Sequence, residues 1–238
     1  MRAVLRQALS LAETWGLVPR NVAKLAKVPR ARRRSPNARR YLSVAEAARL
    51  LAAARGERLE ALYSVALTLG LRQGEALALR WGDADLDGRT LRVHEAVGRV
   101  KGEGLRFKDT KTHQDRTLPL PQVCIQSLRD HRLRQNEERS AAGDRWRDHD
   151  LTFCTQQGGP LDGTNVSKYF KRVLRKAAIA DMRYYDLRHS AASLMAARGV
   201  SARVAMEILV LQRDLAQEVS RRRWSRRSRR LRCERAAA

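Results

Sequence analysis

The sequence contains little cysteine, few aromatic residues and few acidic ones, and each shortage excludes a class of protein. Its three cysteines are scattered along 238 residues, which excludes a disulfide framework or a zinc site and indicates a reducing cytosol. Aromatic residues make up 5%, so aliphatic side chains must fill the core that the 43% hydrophobic content predicts. No long apolar run occurs and no apolar signal segment follows Met1, so neither a membrane protein nor an exported one is predicted.

Basic residues greatly outnumber acidic ones. The chain has 49 Lys and Arg against 25 Asp and Glu, a formal net charge of +24. Solubility does not require so large a charge. The charge therefore indicates a polyanionic partner, with nucleic acid as the first candidate. A membrane surface is the weaker candidate because no amphipathic anchor accompanies the charge.

The positive charge is dense near the N-terminus. Residues 1–18 are predicted to be helical as far as Gly16, and residues 19–42 contain three prolines among many arginines. Residues 1–42 hold eleven Lys or Arg and one acid. This composition is typical of a solvated linker or of an arm that follows a DNA backbone, and the overall charge favours the arm. The arginines predicted to contact DNA are Arg32, Arg33, Arg34, Arg39 and Arg40.

From residue 43 onward, helical patterns dominate, beginning with a capping box at Ser43 and Glu46. The predicted helices cover residues 43–54, 59–69, 71–81 (entered from a tight turn), 123–134 and 165–178. Residues 90–94 alternate like a strand, with 105–107 and 116–119 as expected partners in one small antiparallel sheet. A polar segment is expected over 135–150, followed by a short strand or extended link at 151–154.

Residues 181–209 predict two short helices joined at Gly199, which can supply a left-handed turn. Asp186 is expected to cap the first helix and Ser201 the second. Arg188 lies near the start of the first helix, where an arginine can bind a phosphate with help from backbone N–H groups. The apolar residues expected to be buried are Leu187, Ala191, Leu194, Met195, Val204, Ala205, Ile208 and Leu209.

Three basic residues are distinguished by their settings. Arg72 lies in a turn between two glycines, and Glu75 is spaced to orient it. Lys111 lies in a polar turn between two strand-like runs, and Arg188 opens a helix. Any one of them alone is more typical of a solvated surface charge.

These residues carry a resemblance to the catalytic domain of tyrosine recombinases, the phage-integrase family. Residues 69–83 resemble the family's first box, with its arginine at Arg72. Residues 110–112 and 116–120 resemble the hairpin that bears the family's lysine, which would be Lys111 here. The second box, usually of the form His-x-x-Arg, is resembled by residues 186–201, with Arg188. The three blocks occur in family order.

The resemblance implies a mainly α fold with a small antiparallel β-sheet, the α+β fold of the DNA breaking-rejoining core. It also implies a basic arm over 1–42, the remnant of an N-terminal DNA-clamping (core-binding) domain and its linker, a catalytic domain over 43–209, and a divergent Arg-rich tail over 210–238. The implied function is site-specific recombination or integration of double-stranded DNA for a mobile element. No metal, cofactor, membrane or small-molecule substrate is expected. Active members are tetramers on DNA, and the expected location is cytoplasmic, at the nucleoid.

In the family's chemistry, Arg72 and Arg188 would bind the scissile phosphate and Lys111 would protonate the leaving 5′-oxygen. A tyrosine would form a 3′-phosphotyrosyl link. Glu75 and His189 would have supporting roles.

Two departures from the family pattern concern this chemistry. Tyr185 stands where the family has the histidine of His-x-x-Arg, and a phenol is a poor proton shuttle at neutral pH. After Leu209 the sequence has neither the family's Gly-His-Ser nor any tyrosine. Tyr184 or Tyr185 as a substitute nucleophile is disfavoured, because the family's tyrosine comes from a later helix. The sequence thus predicts DNA binding of weak specificity without cleavage, and it leaves open whether the chain is an enzyme.

The tail admits three hypotheses: a functional basic DNA-binding segment, a nucleophile donated by another protomer, or an out-of-frame ending of an integrase gene. Donation fails between identical chains, and the abrupt change after Leu209 favours the out-of-frame ending. The rival for the whole chain is a non-catalytic basic DNA-binding or architectural protein, which predicts that Arg72, Lys111 and Arg188 lie far apart. An RNA-binding protein lacks support, since no aromatic stacking platform is present.

Overall fold

The computed structural model of the chain describes residues 2–26, 40–100, 102–109 and 115–209. The chain divides into two units, residues 1–38 and 39–238. The expectations for Lys111 and for the tail over 210–238 lie outside the described residues. So do those for the arginines Arg32, Arg33, Arg34 and Arg39.

The first unit contains helix α1 (Arg2–Thr14) and the short helix α2 (Val22–Leu25). Asn21 connects them, because its side-chain amide donates to the backbone oxygen of Arg6 at 2.7 Å and its carbonyl oxygen accepts from the Ala23 N–H at 3.1 Å. The predicted helix end near Gly16 is confirmed by a left-handed φ of 69° at that residue. Helix α2 lies in a stretch for which the sequence predicts only a linker.

In the second unit, helix α4 (Glu60–Leu69) is the central element, and it packs against α3 (Val44–Ala54), α6 (Gln122–Ala142) and α8 (Asp186–Ala197). Aliphatic side chains fill most of the core, as the composition predicts. The aromatic rings of Tyr63, Phe170 and Tyr184 pack in series, with centroid distances of 5.7 and 5.6 Å. The described helices of this unit are α3 (Val44–Ala54), α4 (Glu60–Leu69), α5 (Gln73–Ala78), α6 (Gln122–Ala142), α7 (Gly163–Lys176), α8 (Asp186–Ala197) and α9 (Ala202–Leu209).

The strands form two small antiparallel sheets, so the predicted fold class is confirmed while the single predicted sheet is wrong. The described strands are β1 (Ala84–Asp85), β2 (Thr90–Val93), β3 (Glu95–Val100), β4 (Gly104–Asp109) and β5 (Arg116–Pro119). One sheet has the order β1-β2-β5, and the other pairs β3 with β4. Residues 105–107 therefore pair with β3, because left-handed Gly102 and Gly104 (φ 85° and 81°) allow a tight turn to the preceding segment.

Helix α6 continues to Ala142, well past the predicted end near residue 134, so the polar segment expected from 135 is wrong. The polar second half of α6 is held by tertiary contacts. Gln135 is buried and its amide donates to the Leu151 backbone oxygen at 3.0 Å. Glu138 receives Arg58 through two hydrogen bonds of 2.6 and 2.7 Å. These partners stabilise a helix that has no continuous apolar stripe.

The capping expected at Asp186 is wrong. Asp186 is the first residue of α8, and its carboxylate accepts a hydrogen bond from the Arg183 N–H at 2.9 Å. Gly199 has the predicted left-handed φ of 82°. Ser201 caps α9 as predicted, because its hydroxyl accepts from the Val204 N–H at 3.3 Å. The predicted burial is wrong for Val204, which is exposed; Leu194, Met195 and Ile208 are half-buried, and Leu187, Ala191, Ala205 and Leu209 are buried.

Gly74 allows α5 to lie directly on β3. A Cβ added at Gly74 would lie 2.7 Å from the backbone oxygen of Val97. We therefore expect Gly74→Ala to push the β3–β4 hairpin away and to lower the free energy of unfolding by about 1–3 kcal/mol, as overpacking does. Urea denaturation measures the change. Gly98→Ala in β3 is the matched control, since its Cβ would have no neighbour within 4 Å; an equal loss in both variants would contradict the packing explanation.

Candidate functional site

Arg72 lies in the turn between α4 and α5, after the left-handed Gly70 (φ 61°) that ends α4. Glu75 folds back onto this turn from the first turn of α5. Its Oε2 accepts a hydrogen bond from the Arg72 backbone N–H at 3.0 Å, and its Oε1 accepts from Arg72 Nη1 at 2.6 Å. The carboxylate therefore holds both the backbone and the guanidinium of Arg72, which is the orienting contact that the spacing suggests.

Glu75 also receives a second arginine. Arg116, the first residue of β5, donates from Nη2 to Glu75 Oε2 at 2.7 Å. Burial by itself raises the pKa of the Glu75 carboxyl, but the hydrogen bonds and charges of Arg116 and Arg72 outweigh burial and hold that pKa below its ordinary value. In the sequence, Arg116 appears only as the first residue of a strand-like run. No local signal marks it, because its partner lies 41 residues away in the chain.

Arg188 is buried at the start of α8, with 2% of its surface exposed. Its Nη1 donates to the backbone oxygen of Gly70 at 2.6 Å, in the same turn that carries Arg72. Burial, and after it the positive charge of Arg72, lowers the pKa of Arg188 to about 10. A cation whose charged form is disfavoured in this way is stabilised by a nearby anion.

The turn at residues 70–72 is therefore where Arg72, Glu75, Arg116 and Arg188 meet. The guanidiniums of Arg72 and Arg116 share the Glu75 carboxylate, and the guanidinium of Arg188 bonds the Gly70 backbone oxygen beside them. The four residues come from α5, β5, α8 and the turn itself. The rival prediction of wide separation does not hold for Arg72 and Arg188. Lys111 lies outside the described residues, and its predicted role stays a prediction.

Tyr185 precedes α8 and is half exposed beside the cluster. Its ring meets the His189 ring edge to face with a centroid distance of 5.1 Å, and Tyr41 meets the same ring at 6.1 Å. His189 is buried, and the rings of Tyr41 and Tyr185 both pack against it.

Tyr184, the preceding residue, faces the core. Its ring packs edge to face on Phe170, and burial raises the pKa of its hydroxyl far above the ordinary value. Within the described ranges this hydroxyl has no hydrogen-bond partner. Tyr184 is thus placed for packing.

Arg40 belongs to the arginines predicted to contact DNA and lies in the described part of the chain. Its Nη2 contacts Glu46 Oε1 at 2.6 Å, next to the capping box of α3. That contact leaves a solvent-accessible guanidinium at the start of the second unit.

Two kinds of feature are absent from the described ranges. They hold no group of three or more His, Cys, Asp or Glu residues placed to bind a metal ion. No helix in the same ranges is long and apolar enough to cross a membrane.

Comparison with known proteins gives the family. Residues 40–211 match the model of the phage integrase family. The chain belongs to this family, and the matched part is a tyrosine recombinase catalytic domain.

An integrase of Streptomyces ambofaciens is 37% identical over 209 residues, which cover 84% of this chain and 53% of that protein. A XerC-like tyrosine recombinase of Caldanaerobacter subterraneus subsp. tengcongensis is 34% identical over 169 residues, covering 66% and 43%. The chain spans about half the length of these curated relatives.

Solved structures share the fold. The Tn1549 transposon integrase in complex with transposon right end DNA has a TM-score of 0.77 at 16% identity, covering 92% of this chain and 72% of that chain. A lambda integrase dimer bound to a COC′ core site has a TM-score of 0.62 at 18% identity, covering 92% and 70%. At these identities the likeness shows the fold.

Proposed function

We propose that the chain binds double-stranded DNA and takes a phosphodiester into the arginine cluster, as a site-specific recombinase or integrase of its family. The observation that carries this proposal is the meeting of three arginines at the turn over residues 70–72, where Arg72 and Arg116 bond Glu75 and Arg188 bonds the Gly70 backbone oxygen. The excess positive charge is partly buried, and a phosphate oxygen pair would neutralise it through charge-assisted hydrogen bonds. Family membership and the DNA complexes formed by the Tn1549 and lambda integrases support DNA as the source of that phosphate.

The cluster suits stabilisation of a transition state at phosphorus. Arg72 is held by Glu75, and Arg188 is held on the Gly70 backbone oxygen. Because both guanidiniums are fixed before a ligand arrives, they can stabilise developing charge with little reorganisation. In the strand transfer that the family carries out, Lys111 would protonate the leaving 5′-oxygen, and a tyrosine would form the 3′-phosphotyrosyl intermediate.

We also propose that the 238-residue chain holds DNA without cleaving it. None of its five tyrosines follows Tyr185. The Tyr184 hydroxyl is buried against the core. Tyr185 lies at the start of the same helix as Arg188, so both would approach the phosphate from one element, whereas in-line attack requires a nucleophile opposite the leaving oxygen.

The experiment is a search for a covalent adduct. Labelled duplexes that carry nicks at many sequence positions are incubated with the chain. Each sample is divided, and protein-bound DNA is measured in one half without denaturation and in the other half after denaturation in detergent. We expect a complex before denaturation and no protein-linked DNA after it. Tyr185→Phe is the matched control. An adduct that forms with the unchanged chain and disappears in this variant would contradict the proposal and identify Tyr185 as the nucleophile.

We propose further that the tail over residues 210–238 is an out-of-frame ending of an integrase gene. If residues 210–238 are an out-of-frame ending, one of the other two reading frames just after Leu209 should encode Gly-His-Ser and a later tyrosine. Absence of both from those frames would reject the idea. From the family resemblance we also propose that the arm over 1–42 contacts DNA, that the chain forms a homo-oligomer on DNA, and that it acts at the nucleoid in the cytoplasm.

A further inference from the structure

We propose that Arg116 is a positioning residue, which sets the guanidinium of Arg72 by way of Glu75. The proposal deepens the proposed function and rests on it, since Arg72 is the group that would contact the DNA phosphate. Arg116 would act on the phosphate only through Glu75 and Arg72.

The contacts form a continuous relay. Glu75 Oε2 accepts hydrogen bonds from Arg116 Nη2 at 2.7 Å and from the Arg72 backbone N–H at 3.0 Å. The other oxygen, Oε1, accepts from Arg72 Nη1 at 2.6 Å. The terminal torsion of a glutamate is broad, so the orientation of this carboxylate depends on the donors around it. Loss of Arg116 would leave Oε2 with the weaker backbone donor and would release Oε1, and the guanidinium of Arg72 with it.

Fold stability does not explain Arg116 well. Its Nε and Nη1 are buried, and neither has a hydrogen-bond partner in the described part of the chain. Buried donors without acceptors are costly, and natural proteins retain them where another demand exists. Arg58 shows the contrast in the same unit: its Nε and Nη2 donate to Glu138 and its Nη1 donates to the Cys154 backbone oxygen. Arg58 is therefore the natural structural control.

The place of Arg116 in the sheet adds a second consequence. Arg116 is paired with Val93 in β2, and Asp109, at the end of β4, is paired with Glu95 in β3. The chain between Asp109 and Arg116 includes Lys111. The bond from Arg116 to Glu75 thus ties the strand that follows the Lys111 segment to the turn that carries Arg72. The Glu75 carboxylate therefore connects the turn that carries Arg72 with strand β5.

The first test observes Arg72 directly. The Nη1–H signals of Arg72, whose donor bonds Glu75 Oε1, are recorded by ¹⁵N NMR in the DNA-free protein and in Arg116→Gln, Arg116→Lys and Arg58→Gln. We expect solvent exchange of these protons to be about tenfold faster in Arg116→Gln, as loss of a charge-assisted hydrogen bond allows. A lysine at this position can keep the single ion pair that Arg116 makes, so Arg116→Lys should restore slow exchange, and Arg58→Gln should not change it. Unchanged exchange in Arg116→Gln overturns the proposal. Arg116→Met, which keeps the buried stem, replaces Arg116→Gln if the latter unfolds.

The second test is a double-mutant cycle on duplex DNA affinity. Arg116→Gln and Arg72→Gln should each weaken binding by about tenfold, and the double variant should bind no more weakly than Arg72→Gln alone. Additive loss, about a hundredfold, would overturn the proposal because Arg116 would then act independently of Arg72. Arg72→Gln could leave DNA affinity unchanged while, in proteins that keep Arg72, the Arg72 signal still responds to Arg116→Gln. In that case the proposed function fails and the positioning role of Arg116 stands.

Discussion

Arg188→Gln is expected to weaken duplex DNA binding by about 10- to 100-fold at low salt, the range for loss of one charge-assisted contact. Glutamine removes the positive charge that Arg188 brings into the cluster. Its amide can still donate toward the Gly70 backbone oxygen that Arg188 now holds at 2.6 Å. The change therefore removes the proposed phosphate contact with limited damage to the turn.

Fluorescence anisotropy of a labelled duplex over a salt series measures this effect. The slope of log affinity against log salt should become shallower by about 0.9 for one lost phosphate contact. Arg198→Gln is the matched control, because Arg198 is an exposed arginine at the end of the same helix. Affinity in this control should change by less than about threefold, as for an exposed charge distant from the cluster. Equal losses in both variants would show that general charge, rather than the cluster, binds DNA.

Glu75→Gln is expected to lower the free energy of unfolding by about 3–5 kcal/mol, the range for removing one partner of a buried ion pair. Glu75 is 2% exposed and is the carboxylate that Arg72 and Arg116 share. Its loss leaves two guanidiniums close together without that counter-charge. Urea denaturation measures the change. Glu138→Gln, which breaks the more exposed pair with Arg58, is the control and should cost up to about 1 kcal/mol.

The same carboxylate gives the fold a dependence on pH. The pKa of Glu75 is lower in the folded protein than its ordinary value, because Arg116 and Arg72 outweigh the effect of burial. Its contribution to stability is therefore complete above the pKa of an unfolded glutamate and is lost as pH falls through the lower folded pKa. The unchanged protein should lose stability below about pH 4.3 more steeply than Glu75→Gln does. Parallel pH profiles would contradict this role.

Local signals in the sequence were sufficient for several elements. Ser43 and Glu46 predicted the start of α3, and both capping hydrogen bonds are present. Gly70 predicted the end of α4. The spacing of Arg72 and Glu75 predicted their contact because a residue at the start of a helix is a neighbour of the third residue after it.

Other features depend on tertiary contacts that no local pattern carries. The second half of α6 is polar and is held by residues such as Arg58, far away in the chain. Strand β3 lacks strict alternation of buried and exposed residues, so it was not predicted. Arg116 resembles any other basic strand residue until β5 is placed opposite β2 and next to Glu75. Arg188 was predicted near a helix start, but its burial against Gly70 follows only from the packing of α8 on α4.

The most direct test of the phosphate-binding cluster is a structure of the chain bound to duplex DNA. We predict one phosphodiester group within hydrogen-bond distance of the guanidiniums of both Arg72 and Arg188, with Arg116 still bonded to Glu75 behind them. DNA bound on another face, with no phosphate at either Arg72 or Arg188, would contradict the prediction.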